Sequence, residues 1–204
     1  MGPFDRRRGG TTFTRLRDGA ALQLRPIETQ DRAALQLWLA TVSPESRYLR
    51  FHGNFSSLTE SQWRHLTEVD GQDRLGLLAL IEGQVVGIGH VIRLNDAPHT
   101  GEIALLVSDC LQRLGIGSAL RDRLVRAARR VGIKRLIAHV LPNNQGMRRL
   151  LEAGPFKKIG EQGGAIEVEL LPPRRGQRWR RILGVLFGLH PRWLRGQKRR
   201  PQPG

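Results

Sequence analysis

A mixed α/β fold, with a central sheet of about seven strands and helices flanking it, is predicted by three observations. Apolar runs at residues 75–81 and 85–94 are joined by Glu82-Gly83-Gln84, a hairpin signal. The apolar segment 102–107 leads into a Gly-containing turn, Gln112-Arg113-Leu114-Gly115-Ile116-Gly117, which opens a strongly helical stretch. Strand and helix signals then alternate as far as residue 160.

The elements follow in order. Residues 22–27 alternate as a strand, and 28–41 fit a helix. After the hairpin, segment 102–107 reads as a third strand of that group. Beyond the turn, Ala119, Leu120, Leu124, Ala127, Ala128 and Val131 form the stripe of an amphipathic helix. Arg121, Arg123, Arg126, Arg129 and Arg130 are expected on its other face, and Gly132 is its stop. Residues 135–141 read as a strand and Pro142-Asn143-Asn144 as a turn. A second helix spans 144–153, capped by Asn143 or Asn144. A further strand begins at Phe156. The predicted order is strand, two helices, three strands, helix, strand, helix, strands. Pro172-Pro173 stops regular structure. The chain therefore divides into an N-terminal extension at 1–15, a folded domain at 16–172 and a basic tail at 173–204.

A length of 204 residues suits one domain with tails. The formal net charge of +16 is uneven. Residues 174–204 hold ten of the 34 Lys and Arg and no acid, so the remainder carries 24 bases against 18 acids, or +6. The single cysteine, Cys110, excludes an internal disulfide framework. Residues 1–10 carry charge with no apolar run behind it, unlike a signal peptide. No apolar stretch reaches the 18 residues of a membrane span. The expected compartment is the cytoplasm. In the tail, Trp179, the apolar run 182–189 and Arg192-Trp193-Leu194-Arg195 suit an interfacial helix, with residues 174–195 against an anionic membrane surface. Nucleic acid is a second reading of the same charge, and a helix docked on the domain a third. The six histidines, at 52, 65, 90, 99, 139 and 190, show no ligand spacing, and no metal is expected.

The turn at 112–117 carries the chemistry. A strand that ends in a tight glycine turn and starts a helix leaves backbone N–H groups unpaired, at the positive end of the helix dipole. That arrangement suits phosphate. A P-loop has four residues between its glycines and a following Lys; here one residue separates Gly115 from Gly117 and no Lys follows. A dinucleotide fingerprint needs a third Gly where Leu120 stands. The pattern that remains, Gln/Arg-x-x-Gly-x-Gly after a short strand, resembles the pyrophosphate loop of the Gcn5-related N-acetyltransferases (GNAT), which bind acyl-CoA. The resemblance extends over residues 16–172. It is nearest to the catalytic domain of bacterial protein lysine acetyltransferases, through Leu24-Arg25-Pro26, Ser43-Pro44-Glu45-Ser46-Arg47-Tyr48-Leu49-Arg50-Phe51, Gly101-Glu102-Ile103-Ala104 and Val140-Leu141-Pro142-Asn143-Asn144.

The resemblance implies a GNAT fold and acetyl transfer from acetyl-CoA to a primary amine, on a protein lysine or a small molecule. It implies Glu102 as the general base. Gln112, Arg113, Leu114, Gly115, Ile116, Gly117 and Ser118 become the cofactor loop. Leu106 and Val107 become backbone partners of the pantetheine arm, beside parallel strands that splay, and a freed N–H there becomes the oxyanion donor. Asn144 becomes a further cofactor contact, or a helix cap, or both. The segments 43–55 and 58–69 are expected over the acceptor, with Arg47, Tyr48, Arg50 and Phe51 lining or supporting it. Two departures stand out. Many family members place a tyrosine on the helix before the last strands, whereas this chain has Met147-Arg148-Arg149-Leu150-Leu151-Glu152 there and a lone Tyr48 elsewhere. Pro155 replaces a backbone donor at a strand start, so local distortion is expected. A covalent route through Cys110 has no neighbouring histidine in the sequence to activate it. The alternative reading of the chain is a non-catalytic acyl-CoA-binding module that works through its basic tail.

Overall fold

In the computed structural model, residues 10–53, 58–162 and 165–170 are described. The chain runs β1 (Thr12–Arg15), β2 (Ala21–Pro26), α1 (Arg32–Thr41), α2 (Pro44–Phe51), α3 (Glu60–Thr67), β3 (Arg74–Ile81), β4 (Gln84–Leu94) and β5 (Ala97–Val107). It continues through α4 (Ile116–Arg130), β6 (Arg135–His139), α5 (Gln145–Glu152), β7 (Phe156–Gln162) and β8 (Ala165–Leu170). The strands described form one eight-stranded sheet in the order β1-β2-β3-β4-β5-β6-β8-β7. The β5–β6 pair is parallel, and every other pair is antiparallel. The tail at 173–204, with its membrane, nucleic-acid and docking readings, lies outside the described residues.

Both sheet faces are covered, which is why the central strands read as continuous apolar runs. On one face, Leu75, Leu77, Ala79, Val91 and Ile103 pack with Ile116, Leu120, Leu124 and Ala128 of α4. On the other, Leu78, Leu80, Ile88 and Leu106 pack with Leu35, Trp38 and Leu39 of α1 and Trp63 and Leu66 of α3. Burying a Leu of this kind contributes about 1.5–3 kcal/mol. Close approach of α4 needs Gly89: a Cβ there would stand 2.5 Å from Leu105 Cδ2 and 2.8 Å from Leu124 Cδ1. The β3–β4 hairpin turns on Glu82 and Gly83, both left-handed with φ of 49° and 79°, the torsions that tight hairpins prefer.

Four expectations need correction. The N-terminal extension contains β1, paired in register from Thr12↔Leu24 to Arg15↔Ala21. All four of its residues are exposed, so it has no buried face to leave an alternation. Three helices, not two, precede β3. Val42 is extended, Ser43 caps α2 by accepting from Ser46 N, and Pro44 opens the new helix. Arg121 is buried at 5 % exposure, not on the solvent face of α4. Its guanidinium pairs with Asp122 and donates to Leu150 O at 2.6 Å, tying α4 to α5. The strand expected at 135–141 stops at His139. Pro155 precedes β7, an edge strand with a single ladder, and a register shift falls between Lys158 and Gly160. An edge tolerates both.

Candidate active site

The site is built where two strands part. β5 pairs with β6 only at Thr100↔Arg135, Gly101↔Leu136 and Glu102↔Ile137. β6 ends at His139, while β5 runs on beside β4 to Gly87↔Val107. Beyond Glu102, one edge of β5 is therefore open. Ser108 N donates to Val86 O at 2.9 Å. The antiparallel alternation then turns the backbone groups of Leu106 toward β4 and those of Ile103, Leu105 and Val107 toward the open edge. The carbonyl of Leu106 confirms the direction, lying 3.0 Å from the position of a Cβ on Gly87. Of the pair expected to offer backbone groups, Val107 faces the gap. Leu106 instead buries its side chain in the core beneath α1.

A pocket of about 230 Å³ occupies the parting. Glu102, Ile103, Ala104 and Leu105 of β5 form its floor, with His139 at the end of β6 and Asn144 and Met147 at the start of α5. Leu49, Arg50, Phe51 and His52, at the end of α2, form its other wall. Glu102 is half-buried on the strand face that also carries Ala104 and Leu106. Arg50 has its ring partner in Phe51, with the guanidinium carbon 4.9 Å from the ring centroid. Its Nε is shut off from solvent without a hydrogen-bond partner. Burial pulls the Arg50 guanidinium down to about 10, against the opposing pull of the Glu102 carboxylate. Behind them His90 is 2 % exposed, with Nε2 2.9 Å from Leu66 O. Burial, and then the charge of Arg50, push His90 down to about 3, so it is neutral. His65 is also lowered, by burial and then by Arg74 and Arg50.

The wall at α2 is clamped to the loop after β5. Asp109 accepts from Ser43 N at 2.8 Å, Ser43 Oγ at 2.8 Å and Ser46 Oγ at 2.5 Å. Burial favours its protonated form, but the bonds from Ser46 and Ser43 outweigh it and hold the carboxyl below the usual range. Next to it, Trp38 Nε1 donates to Ser108 Oγ at 2.8 Å. Neither contact has a local sequence signal, because the partners lie 63 to 70 residues apart.

The loop itself has the geometry its sequence implies. Gln112 and Arg113 are exposed, and Arg113 is left-handed at φ 65°. Gly115, at φ 104°, is the N-cap of α4, and no side chain caps the helix. Ala119 N donates to Gly115 O, so the N–H groups of Ile116, Gly117 and Ser118 precede the first intrahelical bond. Leu114 accepts from Arg17 N through its carbonyl, and the Ile116 side chain, 1 % exposed, anchors the turn in the core. A Cβ on Gly117 would face Leu150 Cδ2 at 3.6 Å and Val107 Cγ2 at 4.0 Å. That position therefore points inward, and Gly115 is the one whose torsion demands glycine.

Asn144 both lines the pocket and caps α5, its Oδ1 accepting from Met147 N at 3.0 Å. Tyr48 is 41 % exposed and lies outside the pocket lining, whereas Arg50 and Phe51 belong to it. Arg47 has a solvent-excluded Nε without a hydrogen-bond partner but does not line the pocket. Cys110 is exposed in a 3-10 turn, outside the lining. Leu105, His139 and Met147 line the pocket without having been expected there; His139 is the titratable one among them. Its one signal was a place at the end of a strand preceding a proline turn.

The chain is similar to known proteins in sequence and in fold. Residues 36–154 match the acetyltransferase (GNAT) family. An acetyltransferase of Pseudomonas aeruginosa is 27 % identical over 139 residues, 66 % of this chain and 74 % of that protein. The acetyltransferase Pat of Mycolicibacterium smegmatis is 29 % identical over 162 residues, 78 % of this chain but only 48 % of that protein. The crystal structure of the GNAT domain of S. lividans PAT superposes with a TM-score of 0.73 at 30 % identity, covering 78 % of this chain and 95 % of that one.

Proposed function

This chain belongs to the acetyltransferase (GNAT) family, and we propose that it acetylates a primary amine, a protein lysine above all, with Glu102 as general base. Acetyl-CoA is the cosubstrate. The observation that carries the reading is the place of Glu102: the last paired residue before β5 and β6 part, in a pocket that opens between them. The nearness to bacterial protein lysine acetyltransferases supports a lysine acceptor.

Each part of the reaction has a candidate in the chain. The N–H groups of Ile116, Gly117 and Ser118, with the left-handed turn at Gly115 and the charge of Arg113, suit the pyrophosphate. The open edge of β5 at Leu105 and Val107 suits the amide groups of the pantetheine arm, much as a further strand would. An N–H on the same edge suits the oxyanion that forms as the amine attacks the thioester carbonyl. Glu102 takes the proton that the attacking nitrogen must lose. The carbon–sulfur bond then breaks and the acetyl group stays on nitrogen. Tyr48 lies outside the lining, and the low basicity of a thiolate lets it leave without a tyrosine proton.

The test is thiol release from acetyl-CoA with a panel of lysine peptides and small amines. Release that requires an amine and yields an N-acetylated product is expected. The same slow release with and without every amine would overturn the proposal.

A further inference from the structure

We propose that Arg50 sets acceptor specificity, by receiving a carboxylate that the acceptor carries close to its reacting amine. The inference rests on acetyl transfer taking place in the pocket at the parting of β5 and β6. The lining holds one carboxylate, Glu102, and one guanidinium, Arg50. Glu102 is committed to the amine. The pocket thus presents one group for a positive end and one for a negative end of whatever enters.

Among the described residues, Arg50 is an unspent cation. Its guanidinium forms no hydrogen bond and no ion pair with any of them, and its contacts are the Phe51 ring and the longer-range field of Glu102. An arginine offers five donors in a planar fork that fits a carboxylate with two parallel bonds. A buried donor with no partner is costly, and a ligand that supplies the acceptor recovers that cost on binding. The lowered proton affinity of Arg50 has the same cause, yet at about 10 it leaves the group charged at neutral pH. Two neighbouring basic side chains behave differently. Arg74 is engaged with His65 Nδ1 at 2.7 Å, and His90 is neutral. α2 is also held in place independently of Arg50, by the Asp109 bonds to Ser43 and Ser46. A cation on a fixed wall, facing a base across a pocket of about 230 Å³, selects by charge and not by shape alone.

The carboxylate has two possible sources: an acidic residue beside a target lysine, or the acceptor's own carboxyl group. The experiment separates them. Peptides with Lys-Asp, Lys-Asn and Lys-Lys at the centre, and Nα-acetyl-lysine against its amide, are compared by kcat/KM for thiol release in the wild type, Arg50→Gln and Arg50→Lys. For the wild type we expect roughly tenfold preference for the acidic member of a pair, the scale of one charged hydrogen bond, expressed mainly in KM. Arg50→Gln should bring that ratio close to one, and Arg50→Lys should keep part of it. A preference among peptides assigns the carboxylate to a neighbouring side chain; a preference confined to Nα-acetyl-lysine assigns it to the acceptor itself. Either supports the proposal. A wild-type ratio near one, or a ratio that Arg50→Gln leaves intact, overturns it while acetyl transfer stands. If Arg50→Gln does not fold, the ratio in Arg50→Lys decides, and a value equal to wild type counts against the fork. Thiol release from no amine at all would bring down the parent reading, and this one with it.

Discussion

Asp109→Ala should loosen the acceptor wall without touching the acceptor. The carboxylate holds α2 through the Ser43 N–H, the Ser43 hydroxyl and the Ser46 hydroxyl. Hydrogen bonds to charged groups contribute about 1.5–3 kcal/mol each when shielded. Asp109 is exposed and Ser46 is not, so solvent discounts each bond to about 1 kcal/mol. The expected loss is about 2–3 kcal/mol, or roughly 5–10 °C in Tm for a chain of this size. The backbone carbonyl of Asp109, which accepts from Gln112 N, survives the substitution. Hence the acceptor KM should rise more than the acetyl-CoA KM. The pH dependence has a definite sign. A carboxyl held below its unfolded value stabilises the protein above that value, near 3.8, and the contribution fades as pH falls through the folded value. The gap in stability between wild type and Asp109→Ala should be constant from pH 5 to 8 and close below about pH 4. Urea melts across pH, with Ser46→Ala as the second arm of a double-mutant cycle, make the measurement. A Tm within about 1 °C of wild type at pH 7, with both KM values unchanged, would refute the clamp.

Four further outcomes follow from the packing. Gly89→Ala forces a methyl against Leu105 and Leu124, the latter fully buried, and should destabilise by about 1–3 kcal/mol; denaturant midpoints equal to wild type would show that α4 yields. Gly115→Ala places an L side chain at φ 104°, at a strain of about 1–2 kcal/mol, and should weaken acetyl-CoA binding in calorimetry. Gly117→Ala meets Leu150 only at ordinary contact distance and should leave Tm near wild type; the reverse ranking of the two would contradict the inward aim of residue 117. His90, neutral in the fold with its affinity pushed down to about 3, takes up a proton on unfolding anywhere between about pH 3 and 6.5. Stability should therefore fall as pH drops through that window, more steeply in wild type than in His90→Gln, and equal slopes would mean that His90 is reachable by protons in the folded state.

The parts of the fold that were legible in sequence have local causes. The hairpin follows from apolar runs around Glu82-Gly83, and the turn that opens α4 from Gly115 and Gly117 after a strand. The cap at Asn144 follows from a turn that precedes an amphipathic stretch. What could not be read depended on distant partners. β1 is exposed on every residue and is a strand only because β2 offers an edge. Arg121 resembles its neighbouring arginines in sequence, and its long-range partner, the Leu150 carbonyl 29 residues on, is what sequence does not show. The Asp109 clamp joins residues 63 and 66 apart. His139 enters the pocket because β6 stops short of the length its apolar residues suggested. The strand direction of Leu106 could be settled only by the β4–β5 register, since both it and Val107 are apolar and adjacent.

The pH dependence of turnover in Glu102→Gln tests most directly whether Glu102 is the proton acceptor. The amide is nearly isosteric and cannot take the proton. Turnover with a lysine peptide should fall by roughly 10²–10⁴-fold at pH 7.5, the usual range for a general base. The deficit should narrow toward pH 9, where more of the amine is free, while the Kd for acetyl-CoA measured by calorimetry stays near wild type. Turnover equal to wild type from pH 7 to 9 would contradict the account and give Glu102 a purely structural place at the parting of β5 and β6.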